Sequence, residues 1–272
     1  MKCAVETRLE GQAVRGVASL DNCLYLLREN KSSEQIEVYD VDSFCLLRSL
    51  TVPGLGRAVD IVACGYNHCA YVSDTSLQSI HKLSLSGDNL THWRVKERPA
   101  GLSLTVKHSL LVTCRYASKI KEFTTDGKLL REIVLPSTVR SPWHSIQLFS
   151  GALIVCHGFF KNEEPSHRVC LIASDGKLVK SYGGPGSSGS QQIYMPAPCH
   201  VAVDENEQVL VVDRNNDRIL LLSATLTYLR IVMSREQLQW KPYRLCTDVQ
   251  RRRLYVAVND KWVAGKVIVS SL

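Results

Sequence analysis

Apolar residues fall in short runs that return in the same order along the whole chain. Six runs, at 14–18, 59–63, 101–105, 144–148, 199–203 and 243–247, each open a unit. A second run follows each, at 23–27, 69–73, 109–114, 152–157, 208–213 and 253–258. Runs that are apolar nearly throughout predict strands covered on both faces. The third runs alternate instead, as in Gln35-Ile36-Glu37-Val38-Tyr39 and Lys119-Ile120-Lys121-Glu122-Phe123, which predicts half-exposed strands nearer a rim. Asp126-Gly127 and Asp175-Gly176 stand before fourth runs, a strong hairpin signal because glycine accepts the positive φ such turns need.

The openings lie a little over forty residues apart, with one longer interval of about 55, and that is the period of four-stranded propeller blades. The expectation is an all-β, six-bladed β-propeller forming one domain, with blades near 13–56, 57–99, 100–142, 143–197, 198–242 and 243–272. The last copy stops after its third run. The leading segment 3–8 alternates apolar with polar and has no blade of its own, so it is expected to pair with 266–270 and remove the open sheet edge. On this reading both ends are structural, and the chain is a complete, monomeric domain.

Blade five carries a more specific signal. The segment from Tyr182-Gly183-Gly184 through the Gly/Ser-rich stretch to Gln191-Gln192, then Met195-Pro196, Val201-Ala202-Val203-Asp204 and Val209-Leu210-Val211-Val212-Asp213, with Asn216-Asp217-Arg218-Ile219, resembles an NHL repeat. The other blades match in part, as in Tyr71-Val72-Ser73-Asp74 and Leu254-Tyr255-Val256-Ala257. The resemblance implies a recognition propeller, like those of tripartite-motif ubiquitin ligases or RNA-binding translational regulators. No RING or B-box cysteine spacing is present, so ubiquitination activity would have to come from a partner or from sequence beyond this chain.

Composition narrows the setting. Hydrophobic residues at 45% and charged residues at 22% suit a folded core and exclude general disorder. The N-terminus lacks a secretory apolar run and no stretch reaches a membrane span, so a cytoplasmic location without membrane attachment is expected. Ten cysteines show no C-x-x-C pair and sit mostly inside apolar runs, as buried reduced thiols do. Arg251-Arg252-Arg253 falls short of a nucleic-acid cluster and reads as a solvated turn.

Candidate chemistry is sparse. No nucleophile elbow, phosphate loop, dinucleotide fingerprint or zinc-protease helix occurs, and Cys64, His68 and Cys69 match no zinc spacing. The openings of the first strands should project Arg15, Asp60, His144, His200 and Arg244 into a central channel. Two histidines and a carboxylate there could serve a metal-dependent lyase or hydrolase, but two arginines in the same ring would oppose a divalent cation. The expectation is therefore no enzyme, no metal and no cofactor.

Net charge is +7, and it sorts by face. The connections entering first strands and leaving second strands are basic, whereas the opposite turns are acidic. A partner-binding set is expected on the basic face: Arg15, Arg57, Arg115, Arg140, Trp143, His144, Phe159, Phe160, His200, Arg214, Lys241, Tyr243 and Arg244. Arginine beside aromatic residues suits a protein partner first, and single-stranded RNA as the alternative.

Overall fold

The computed structural model describes residues 5–29, 34–86, 90–158, 167–184, 195–261 and 263–272. After β1 (Val5–Gln12), blade one is β2–β5 (Val14–Leu20, Cys23–Arg28, Gln35–Asp40, Leu46–Thr51) and blade two β6–β9 (Ala58–Cys64, Cys69–Asp74, Ser79–Ser84, Leu90–Arg94). Blade three is β10–β13 (Pro99–Leu104, Leu110–Cys114, Lys119–Phe123, Leu129–Val134) and blade four β14–β17 (Pro142–Gln147, Leu153–His157, Arg168–Ile172, Leu178–Tyr182). Blade five is β18–β21 (Pro198–Val203, Val209–Asp213, Arg218–Leu222, Tyr228–Met233), followed by the short helix α1 (Arg235–Leu238) and the last strands β22–β24 (Lys241–Asp248, Arg253–Asp260, Ala264–Ser271). Hydrogen bonds join these strands into six four-stranded antiparallel sheets, a six-bladed β-propeller.

The last sheet runs β1-β24-β23-β22, so the leading strand closes the ring. The pairing runs from Val5 opposite Ser270, through Leu9 opposite Val267, to Gln12 opposite Ala264. It extends four residues beyond the expected 3–8. The reason is Leu9, which packs against the buried cluster of Val14, Val17, Leu24, Val267 and Val269; stopping earlier would leave it in water. Asn259 adds a second fastening. Its carboxamide oxygen accepts from Val14 N at 2.8 Å and its amide donates to Val14 O at 2.9 Å. Arg251 and Arg253, expected as a solvated turn, also grip blade one: Arg251 donates to Asp21 O at 2.7 Å and Arg253 to Val41 O at 2.7 Å.

First and second strands form the core, as their unbroken apolar runs require. Adjacent blades are also stitched by hydroxyls donating to the neighbour's backbone, Ser73 to Ala100 O at 2.7 Å and Ser103 to Ser145 O at 2.8 Å. Among the third strands β4 alternates as expected, with Gln35, Glu37 and Tyr39 half-buried between Ile36 and Val38, and β12 departs from it. The polar residues of β12 are buried: Lys121 lies between Glu97 and Glu132, and Glu122 accepts from Ser109 and from Arg131. Alternation there reflects compensated buried charge, and the exposed edge falls one strand further out, where Leu46, Leu47, Leu130 and Val179 face solvent.

Closure by one side chain can be tested. Asn259→Ala strands a buried backbone N–H and C=O of Val14, each costing about 1–3 kcal/mol. Denaturant titration should show a loss of about 2–4 kcal/mol; a loss below about 0.5 kcal/mol would mean that β1 alone closes the ring.

Candidate functional site: the channel mouth

Every first strand carries an irregularity at the same place. Val14 and Gly16 pair with the adjacent Arg28 and Leu27, which leaves Arg15 as an extra residue. The same count makes Val59, Trp143, Cys199 and Tyr243 the extra residues of blades two, four, five and six, and β10 shifts register between Pro99 and Leu102. A bulge turns one side chain out of the alternating pattern. Repeated around the ring, it delivers Arg15, Val59, Ala100, Trp143 and Tyr243 to the channel mouth.

A cavity of about 470 Å³ opens there. Arg15, Val59, Ala100, Trp143 and Tyr243 reach it from the first strands. Pro99 opens β10, Thr75, Arg115, Tyr116 and Arg214 lie just beyond the ends of second strands, and Arg57 and Arg98 lie in the segments entering first strands. Among these described residues five are arginines and none is a carboxylate. Cys199 stays out; its thiol donates to Tyr243 O. The aromatic rings act as walls. The Arg115 guanidinium lies 3.5 Å from the Trp143 ring centre, and Tyr116 has Arg115 at 5.4 Å and Arg98 at 5.5 Å. Trp143 donates its indole N–H to Gly158 O at 3.2 Å. Arg15 is tied at the rim to Glu29.

The next residue of each first strand forms a second layer, from Gly16 and Asp60 to Gly101, His144, His200 and Arg244. Asp60 is its hub, and it is 1% exposed. Its carboxylate accepts from Arg244 Nε at 3.1 Å, Leu102 N at 3.0 Å and Ile61 N at 3.1 Å. His200 Nε2 and His144 Nε2 approach it to 3.7 and 3.9 Å, and the two imidazoles stack at 3.8 Å. Gly101 is required here, because a Cβ would lie 2.5 Å from the His144 ring. Arg244 also donates to Tyr243 O and Val59 O, and lies 4.0 Å from the Tyr243 ring centre.

Burial would raise the Asp60 carboxyl, but Arg244 and the two histidines hold it well below the usual range. Burial pushes His144 down to about 3, helped by His200, and lowers His200 as well. Both rings are therefore neutral near pH 7. His144 donates Nε2–H to Leu102 O at 2.9 Å, so its Nδ1 carries the lone pair, and the Nδ1 atoms of both rings have no hydrogen-bond partner among the described residues. Asp60, His144 and His200 bring ligand atoms within 4.8 Å of one another. They do not fit a divalent cation, because the Asp60 oxygens already serve Arg244 and two backbone N–H groups and a dication would face that guanidinium.

The expected residues thus separate into groups. Arg15, Arg57, Arg115, Trp143, Arg214 and Tyr243 meet in the cavity. His144, His200 and Arg244 lie in the buried layer and offer no surface contact. Arg15 does not belong with Asp60, as a single channel ring would have it, since the bulge lifts it into the mouth layer. Arg140 is exposed outside the cavity and donates to Ser137 O, and Lys241 lines a separate recess with Trp240 and Lys261. Phe159 and Phe160 lie outside the described residues. Arg98 and Tyr116 join the cavity, the first marked in the sequence only by the charge of its face and the second only as an aromatic residue on it; no signal in the sequence marks Val59 or Ala100 as lining.

No family model matches the chain, and no curated protein matches it in sequence. The fold is shared with solved propellers. A virginiamycin B lyase from Staphylococcus aureus superposes with a TM-score of 0.67 at 10% identity, over 98% of this chain and 99% of that one. A streptogramin B lyase does so at 0.63 and 14%, over 96% and 98%. A chain of a nidogen/laminin complex reaches 0.69 and 15%, over 86% and 84%. These likenesses carry the six-bladed propeller, while the NHL assignment stays a resemblance. They overturn the expectation that the chain is no enzyme: its full-length structural neighbours include lyases, one also solved as a catalytically inactive histidine-to-alanine variant with quinupristin. Among the described residues no helix is long and apolar enough to cross a membrane.

The buried imidazoles make stability pH-dependent. An unfolded histidine takes a proton near pH 6.5, whereas folded His144 resists until about 3 and His157 until about 4. The unfolded chain then binds more protons as pH falls, so stability is lost downward from about pH 6.5, by up to about 1.4 kcal/mol per pH unit for each such ring. Urea titrations from pH 7.5 to 4.5 should show this slope and a shallower one for His144→Gln; equal slopes would contradict a neutral His144.

Proposed function

We propose that this chain is a recognition module that binds a protein partner on its basic loop face, with an acidic group of the partner entering the cavity at the channel mouth. The observation that carries the reading is the clustering of five arginines without a described carboxylate in one recess. Such a lining raises the encounter rate with an anionic surface and supplies charge-assisted hydrogen bonds once it is seated. Single-stranded RNA is less well served, because base stacking needs open aromatic faces and Trp143 and Tyr243 are each covered by a guanidinium. The resemblance to NHL propellers supports a substrate-receptor role in ubiquitination, in the cytoplasm, with any ligase activity supplied from outside this sequence.

A second reading rests on a separate observation, the two neutral imidazoles with unpartnered Nδ1 atoms beside Asp60. A neutral imidazole with an open ring nitrogen is a proton acceptor, the role a lyase-type elimination needs, and here burial makes both rings weak bases that a substrate must reach beneath the mouth. Incubation with quinupristin should then change its chromatographic retention, and His144→Ala should abolish the change; unaltered quinupristin removes that substrate.

Affinity capture with and without nuclease tests the first reading. The same proteins should be retained in both arms, and Arg57→Glu with Arg115→Glu should cut their recovery at least tenfold without changing the circular dichroism spectrum. Loss of the captured material on nuclease treatment would contradict it.

A further inference from the structure

We propose that the face opposite the arginine cavity is a second interface, which docks an extended segment of a protein partner carrying an aromatic or aliphatic side chain followed by a lysine or arginine. The inference goes beyond the reading above and does not depend on it. Five of the six connections from first to second strands are turns of one geometry, in which the fourth residue donates its N–H to the first: His68 to Gly65 O, His108 to Thr105 O, Gly151 to Leu148 O, Glu207 to Asp204 O and Arg252 to Val249 O. The second position of each turn is therefore equivalent around the ring, and it holds Tyr66, Val106, Phe149, Glu205 and Gln250 in blades two to six. A turn tip ordinarily carries asparagine, aspartate, serine or glycine. Blade one follows that rule with Asp21-Asn22, while three consecutive blades break it: Tyr66 and Phe149 are each 73% exposed and Val106 48%.

Single exposed apolar residues need no explanation, but a run of them at one turn position in neighbouring blades forms an arc, which marks an interaction site. Two of its members are held before a partner arrives. The Tyr66 ring stacks on His108 of the next blade, with centroids 4.7 Å apart and planes 3° from parallel, and Phe149 N donates to Glu207 of blade five. Ordering them on binding therefore costs little. The arc ends at a carboxylate. Glu205 takes the same turn position in blade five and is exposed, whereas Asp204 accepts from the N–H of Gln208 and Glu207 from that of Phe149. Beside Glu205 lies a recess of about 140 Å³ lined by Leu210, Leu221 and Val232, with Arg252 too far from Glu205 for an ion pair. The aliphatic stem of a partner's lysine or arginine fits such a lining while its head reaches the carboxylate. An acidic segment would set like charges together there.

Fluorescence anisotropy of the full chain at low salt tests this with three degenerate peptide pools, each with a fixed phenylalanine followed by arginine, glutamate or serine. The arginine pool should bind at least about fivefold tighter than the glutamate pool. Tyr66, Phe149 and Glu205 are exposed, so their variants should fold normally. Tyr66→Ser and Phe149→Ser should each weaken binding of the arginine pool at least about fivefold, and Glu205→Lys should reverse the order of the arginine and glutamate pools. Thr138→Ala, exposed on the cavity face, should change neither. Equal binding of the arginine and glutamate pools, no binding of any pool, or undiminished binding by Tyr66→Ser and Phe149→Ser overturns the inference and leaves the reading of the arginine cavity standing. Sedimentation velocity adds a second readout, in which the chain should be monomeric. A dimer that Phe149→Ser dissolves would mean that a second copy covers this face, which overturns the docked segment.

Discussion

A circle of sheets has to close, and the functional surface depends on how this one does. Five blades are hairpin-connected and complete in sequence, while the sixth borrows β1 from the other end of the chain. Asn259 copies a backbone strand with its carboxamide and pins blade six to Val14, one residue before the first bulge. Closure therefore fixes Arg15 against Trp143 and Tyr243 across the channel. Without it the strand edges would pair elsewhere and the arginines would no longer share one recess.

Inside the ring, the two channel layers divide the electrostatic work. The lower layer neutralises itself: Asp60 holds Arg244, two backbone N–H groups complete its shell, and burial keeps the histidines uncharged. Among the described residues the upper layer is lined by five arginines and no carboxylate, with Glu29 held against Arg15 at its rim. A bulge of one residue separates them, so Val59 and Tyr243 line the mouth while Asp60 and Arg244, one residue further along, pair in the layer beneath. That arrangement favours an anionic ligand at the mouth and disfavours a metal at the hub.

Much of the fold was legible because propeller blades repeat, and six returns of the same apolar order leave few other architectures. The closing strand was legible from the missing fourth run of the last copy. The third strand of blade three misled because alternation is read as exposure, yet Lys121 and Glu122 are buried with partners contributed from outside their strand, whereas β4 alternates as read. The site was legible in kind, since the charge of one face and the openings of the first strands pointed to Arg15, Arg57, Arg115, Trp143, Arg214 and Tyr243. Its layering was not, because a bulge adds one residue without changing the composition of the strand. Cys199 shows the limit: it occupies the same bulge as Trp143 and Tyr243, but its thiol turns to a backbone carbonyl.

The central claim is that ring closure gathers Arg15 and the arginines of the neighbouring connections into one anion-binding cavity. Crystals grown with tungstate, located by anomalous scattering, test it most directly. The account predicts that the strongest peak lies within hydrogen-bonding reach of Arg57, Arg98 or Arg115. Tungstate bound only at other basic positions, such as Lys241 and Lys261, with none in the cavity, would contradict it.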